Sequence, residues 1–197
     1  MSITEIMEMK STENACKRLS LMLAMHCAPL LRGSKVSNII TIDRKDFRGI
    51  RELLEGTGIS YRLLKSRGTR LIMLLYRERT LAAYICRDDV CEFISDFGYG
   101  ECERNLTSYL NCLAKKVFFY DNGELSFPHE IGVFLGYPLA DVRGFVENNG
   151  QNYEYSGYWK VYGNVAERKQ LFARFEADRE YVVRSIIRGK TIRDIAG

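Results

Sequence analysis

The sequence predicts an α+β fold, with a small, mainly antiparallel sheet packed with helices, then a two-helix corner, an aromatic strand and a long C-terminal helix. Three observations predict it. Strand-like runs at 59–65 and 70–76 are separated by Ser66-Arg67-Gly68-Thr69, a spacing that suits a hairpin. Apolar residues elsewhere recur at three- and four-residue intervals, the period of a helix with one buried face. From 128 to 163 the chain turns to short runs broken by Gly and Pro and crowded with aromatic side chains.

Taken in order, Thr12 is placed to cap a helix carrying Ala15, Leu19, Met22, Leu23 and His26 on one face, and Pro29 stops it soon after Cys27. The β-branched run 38–42 reads as a strand. Asp43 then caps a helix with Phe47, Ile50, Leu53 and Leu54 on one side, ended by Gly56 or Gly58. In the hairpin, Leu71-Ile72-Met73-Leu74-Leu75 is the most continuous apolar run of the chain, which predicts a central strand covered on both faces. Helices follow at about 78–97 and 101–116, and Asp121-Asn122-Gly123 marks a turn.

Pro128-His129-Glu130 opens a short helix that Gly136 ends, and Pro138 sits where the first turn of the next helix wants it. That second helix runs to about Asn148. Residues 153–162 read as a strand or hairpin, 165–188 as a long charged helix, and Gly189 separates it from a last helical turn. A chain of 197 residues fits one domain over 1–197, subdividing, if at all, into a sheet-and-helix part at 1–120 and the corner, strand and C-terminal helix at 126–197.

With 46% hydrophobic and 27% charged residues the composition is that of a globular chain, so disorder is not expected. Glu5, Glu8, Lys10 and Glu13 precede an apolar stretch too short to span a bilayer, which argues against export and against a membrane segment. Six cysteines are too sparse for a disulfide scaffold, so a cytoplasmic location is expected. The net charge of +4 is unevenly spread: 32–79 carries +7 and 80–104 carries −4, while 128–163 sums to −2.

Several motifs fail on context. Gly56-Thr57-Gly58 follows a helix and enters a strand, the reverse of a dinucleotide loop. His129-Glu130 begins like a zinc-protease helix, but Val133 stands where the second histidine belongs. Cys86, Cys91, Cys102 and Cys112 match no zinc or iron–sulfur spacing, so no metal and no cofactor is expected. His26-Cys27 would give a reactive thiolate only if exposed. Arg62, Lys65, Arg67 and Arg70 on the hairpin suit a phosphate backbone or simply protect a strand edge; nucleic acid is disfavoured as a partner, because Asp141 and Glu147 make the second corner helix a poor reader of DNA.

The polar and aromatic side chains of 128–163 have two readings, a ligand pocket or packing of the sheet with capped turns. On the first reading the binding residues are Arg143, Asn149, Asn152, Tyr158, Trp159 and Lys160, and the chain is a non-catalytic module for a small molecule or a protein partner. An alternative is an enzyme using His129 as general acid or base, with Glu130 or another carboxylate to orient it and an anionic substrate held by Arg143 or Lys160. A second alternative is nucleic-acid binding through the basic hairpin at 62–70.

The string Pro128-His129-Glu130-Ile131-Gly132-Val133-Phe134-Leu135-Gly136-Tyr137-Pro138, with Asp141-Val142-Arg143-Gly144-Phe145 and Gly157-Tyr158-Trp159-Lys160-Val161-Tyr162-Gly163, resembles the family catalogued as domain of unknown function 3793. Cys27-Ala28-Pro29-Leu30 and Leu74-Leu75-Tyr76-Arg77 extend the resemblance over most of the chain. It implies a bacterial, chiefly anaerobe-associated cytosolic protein and brings no activity, substrate or catalytic residue. Ser156 stands where relatives often have cysteine, which weakens any thiol chemistry on that strand.

Overall fold

The apolar run Leu71-Ile72-Met73-Leu74-Leu75 lies inside the central strand of a three-stranded antiparallel sheet. This computed structural model describes residues 15–121 and 126–196; the expected Thr12 cap and Asn122-Gly123 turn lie outside them. The strands are β1 (Ser37–Asp43), β2 (Ser60–Arg67) and β3 (Arg70–Tyr76), in the order β1-β3-β2. Ser37 and Ser60 both pair with Tyr76, so the two outer strands start level against β3. Gly68 and Thr69 close the hairpin, Gly68 at φ +54°, a tighter turn than the four residues expected.

Alternation along β3 builds two cores. Leu71, Met73 and Leu75 face α1 (Ala15–Leu31), α2 (Phe47–Leu54) and the C-terminal helices. Leu74 faces the other way, flanked by Ile72 and Tyr76, against α3 (Glu78–Ile85), α4 (Asp88–Ile94) and α5 (Leu106–Asp121). Met73, Leu74 and Leu75 are wholly buried, each contributing about 2 kcal/mol from the area removed from water. In β2 a bulge at Leu64 breaks the register between Leu63 and Lys65. Leu64 joins the second core, while Leu63 stays 41% exposed.

Helix ends differ from the sequence reading for local reasons. Pro29 does not stop α1, because a fixed helical φ is tolerated there and Ala28, Leu30 and Leu31 are all buried. The freed carbonyls at its end go to Arg77, whose guanidinium donates to Leu30 O, Leu31 O and Ala196 O at 3.1, 2.9 and 3.1 Å. Asp43 makes no side-chain cap; a 3₁₀ turn at Arg44–Asp46 intervenes before α2. The helix expected at 101–116 starts later, at Leu106, because Asn105 accepts from the Ser108 N–H at 2.8 Å and sets the N-terminus there.

The remaining elements are α6 (Ile131–Phe134), α7 (Leu139–Glu147), a two-residue-per-strand hairpin of β4 (Tyr155–Ser156) and β5 (Lys160–Val161), α8 (Val165–Ile187) and α9 (Ile192–Ala196). The expected aromatic strand is thus a small separate sheet. Val182, Val183 and Ile186 of α8 close the first core against α1, while Phe172 and Phe175 pack with Trp159 and Val161 in a third cluster. Among the described residues no helix is long and apolar enough to cross a membrane.

Candidate functional site

Close approaches fix the corner. Gly136 turns the chain at φ +70°, and a Cβ there would run into Val36. Ser37 Oγ donates to Phe134 O at 2.5 Å, which ties α6 to the start of β1. Gly132 lets α7 approach α6, its missing side chain leaving room for Val142. Tyr84 Oη donates to Tyr137 O at 2.5 Å and holds the turn from below; burial pushes that phenol up to about 12.

Asp141, only 2% exposed, joins this corner to the hairpin and α8. Its Oδ2 accepts from Trp159 Nε1 at 2.8 Å and Arg168 Nε at 3.1 Å, and its Oδ1 accepts from the Tyr162 N–H at 2.9 Å. Three donors, one of them a buried cation, satisfy this carboxylate. Trp159 also stacks on Tyr137, ring centres 4.5 Å apart at 23°, and meets Phe172 edge-on at 4.6 Å.

Between α6, α7 and the hairpin lies a pocket of about 290 Å³. Ile131, Leu135 and Val142 line it with Tyr137, Phe145 and Trp159. At the mouth, Phe127 and Phe145 hold the His129 ring between them at 5.3 and 5.1 Å. Lys160 completes the wall, its ammonium donating to Gly150 O at 2.6 Å and lying 4.8 Å from the Tyr153 ring and 5.7 Å from the Phe145 ring. Such a lining, apolar walls with few polar groups, is the usual composition of a small-molecule site.

The residues singled out from the sequence divide. His129, Tyr158, Trp159 and Lys160 come together on this pocket. Tyr158 stands on its rim and donates to Glu176 Oε1 at 2.7 Å; burial and then that carboxylate push its phenol up to about 12. Arg143 lies on another face of α7, over the Phe93 ring at 5.2 Å. Asn149 and Asn152 adopt φ of 49° and 56°, the left-handed region, and Asn152 donates to Asn148 Oδ1 at 3.1 Å, so both serve the turn after α7. Glu130 points away from His129 into the second core, where it is 1% exposed and 3.1 Å from Lys116 Nζ, with Tyr99 Oη at 3.3 Å. Adjacent positions on a helical turn diverge, and here that separates the two side chains completely.

Phe127, Tyr137 and Phe145 were not among those residues, because an aromatic side chain within or beside a short helix reads as core from spacing alone. Cys27 is 1% exposed, and burial pushes its thiol up to about 11, the opposite of an activated thiolate. Of the basic hairpin, Arg70 faces Asp43 at 3.9 Å, and Arg44 from the neighbouring turn donates to Ser66 Oγ at 2.6 Å. Among the described residues no group of three or more His, Cys, Asp or Glu side chains is placed to hold a metal ion.

A family model described as Protein of unknown function (DUF3793) matches residues 23–196. No curated protein and no solved structure matches the chain.

Proposed function

From the premise that the chain belongs to this family of unknown function, which assigns no chemistry, we propose that it is a non-catalytic binding module whose pocket between α6, α7 and the β4–β5 hairpin takes a small, mainly apolar ligand. The observation that carries the reading is the convergence of Tyr137, Phe145, Trp159, His129 and Lys160, from three separate segments, on one 290 Å³ cavity. That volume is at the low end of the range of about 300–1,000 Å³ for ligand sites, so it suits a molecule of one or two rings. The bacterial, cytoplasmic and anaerobe-associated setting that the family resemblance implies belongs to the same proposal.

A non-catalytic role is favoured over proton transfer by His129 because, among the described residues, its neighbour Glu130 and the pocket's Asp141 are committed elsewhere. Glu130 pairs with Lys116, and Asp141 with Arg168. Among the described residues no carboxylate is hydrogen-bonded to His129, and an imidazole without such a partner has neither its tautomer nor its ring plane fixed for general acid–base work.

Trp159 is the single tryptophan of the chain and lines the pocket, so its fluorescence reports occupancy directly. Titration with one- and two-ring compounds is expected to change that emission and to raise Tm through preferential binding to the folded state. Phe145→Ala should weaken both responses at least tenfold. If no compound moves either signal in the wild-type protein, the pocket is not a ligand site.

A further inference from the structure

We infer that the ligand is a flat monocarboxylate, its ring against Tyr137, Trp159 and Phe145 and its carboxylate on the Lys160 ammonium. This rests on the pocket reading above and adds the charge and shape of the occupant.

The charge follows from which groups at the pocket are already satisfied. Among the described residues Asp141 is the carboxylate in the lining, and it accepts from three donors, one of them the paired Arg168. It therefore offers a ligand no unmet negative charge. Lys160 is the opposite case. Of its three N–H donors one goes to Gly150 O, and among the described residues no carboxylate lies within salt-bridge distance, which leaves two donors and a full charge facing aromatic rings. The Gly150 carbonyl and the rings of Phe145 and Tyr153 hold this ammonium in place before any ligand arrives, which lowers the ordering cost of binding. A cationic ligand would meet this charge head-on.

A single lysine also limits the anion. Phosphate dianions are normally gripped by several donors, from a helix N-terminus, a glycine-rich loop or an arginine fork. Here Lys160 is the single Lys or Arg of the lining among the described residues, and a carboxylate is the anion that one ammonium, with His129 on the same lining, can satisfy. Shape comes from the rings. Tyr137 and Trp159 are stacked at 23°, and Phe145 lies across the mouth beside His129, so a planar body gains the most contact per atom.

The test uses the purified full chain with Trp159 emission and Tm as readouts. Probes are benzoate, phenylacetate and cyclohexanecarboxylate, the neutral amide of each, and benzylamine. A carboxylate is expected to bind at least tenfold tighter than its amide, and planar benzoate tighter than cyclohexanecarboxylate. Lys160→Met should abolish the preference for carboxylate over amide, and an unfolding midpoint of the free variant close to that of the wild type shows that it is folded. Lys160→Arg should keep most of the preference. Equal binding of acid and amide to the wild-type protein overturns this inference but leaves the pocket reading standing, as does a preference for benzylamine. Absence of any response to acids, amides and amine together overturns both.

Discussion

The indole N–H of Trp159 donates to Asp141 Oδ2 at 2.8 Å, and Arg168 Nε approaches the same oxygen at 3.1 Å. One buried carboxylate therefore fixes the back wall of the pocket and neutralises a nearly buried cation. Asp141→Asn would keep the shape, remove the charge and turn an amide N–H₂ or a lone carbonyl toward donors that need two acceptors. Breaking such a pair by removing one partner costs about 3–5 kcal/mol. The urea midpoint should fall accordingly and the tryptophan emission should shift. Adding Arg168→Met should recover part of the loss, because it removes a buried cation that has lost its buried carboxylate and keeps only the exposed Glu167 at 3.1 Å. An unchanged midpoint in Asp141→Asn would mean that the carboxylate contributes nothing to holding α7, β5 and α8 together.

His129 and Glu130 are neighbours in sequence with opposite surroundings, and their substitution should separate accordingly. Glu130→Gln removes the charge facing Lys116 in the second core and is expected to cost about 2 kcal/mol, the worth of a hydrogen bond to a charged group. His129→Ala, at an exposed position with its ring between Phe127 and Phe145, should cost no more than about 1 kcal/mol. Ligand affinity should show the reverse order, falling with His129→Ala and holding with Glu130→Gln. Denaturation and Trp159 titration of the two variants measure both. The opposite pattern would place Glu130, not His129, at the ligand.

How far the sequence was legible follows from the same residues. The central strand was readable because five consecutive apolar residues have few other uses in a chain of this kind, and the structure puts Leu71, Met73 and Leu75 in one core and Leu74 in the other. Pro29 misled because proline stops a helix only where burial does not override it. The α6–α7 corner was readable from Gly136 and Pro138. What spacing could not convey was direction. Nothing local to Arg143 says that it turns to Phe93 and away from the pocket, and the partner of Asp141 sits twenty-seven positions on, in α8. Asn149 and Asn152 showed the residue type of a turn and of a binding site alike, and their positive φ, visible only in the backbone, assigns them to the turn.

Gly136 and Gly68 offer a paired test of the corner. Both have positive φ, +70° and +54°, so alanine at either brings the left-handed strain of about 1–2 kcal/mol. A Cβ at Gly68 meets nothing within 4 Å, whereas at Gly136 it would collide with a methyl of Val36. Overpacking adds a further 1–3 kcal/mol or so. Gly136→Ala should thus lower the unfolding midpoint about twice as far as Gly68→Ala. Shortening the neighbour with Val36→Ala should relieve the excess in Gly136→Ala alone. Equal effects of the two alanines would show that the corner has slack.

Lys35 and Cys27 set opposing pH dependences at the foot of β1. The Lys35 ammonium is held 2.8 Å from Asn38 Oδ1 and 5.4 Å from the Tyr137 ring, and burial lowers its pKa from 10.5 to about 8. Between those values the unfolded chain binds the proton and the folded chain does not, so stability rises with pH. Cys27, pushed by burial from 9.0 to about 11, does the reverse: the folded chain keeps a proton that the unfolded chain has lost, and stability falls from pH 9 upward. The two overlap from pH 9, which leaves the window from 8 to 9 to Lys35. Over that one unit the gain is about 1 kcal/mol, a full pKa unit being worth 1.36 kcal/mol. Urea midpoints of the wild-type protein at pH 8 and 9, compared with those of Lys35→Met, separate the effect from titrating groups that do not interact with Lys35; Cys27 does, so the Cys27→Ala background is measured alongside. The wild-type curve should climb relative to the variant across this window. Cys27→Ala should leave that climb in place and remove part of the fall above pH 9. Parallel curves for wild type and Lys35→Met would show that the ammonium keeps its water in the folded chain.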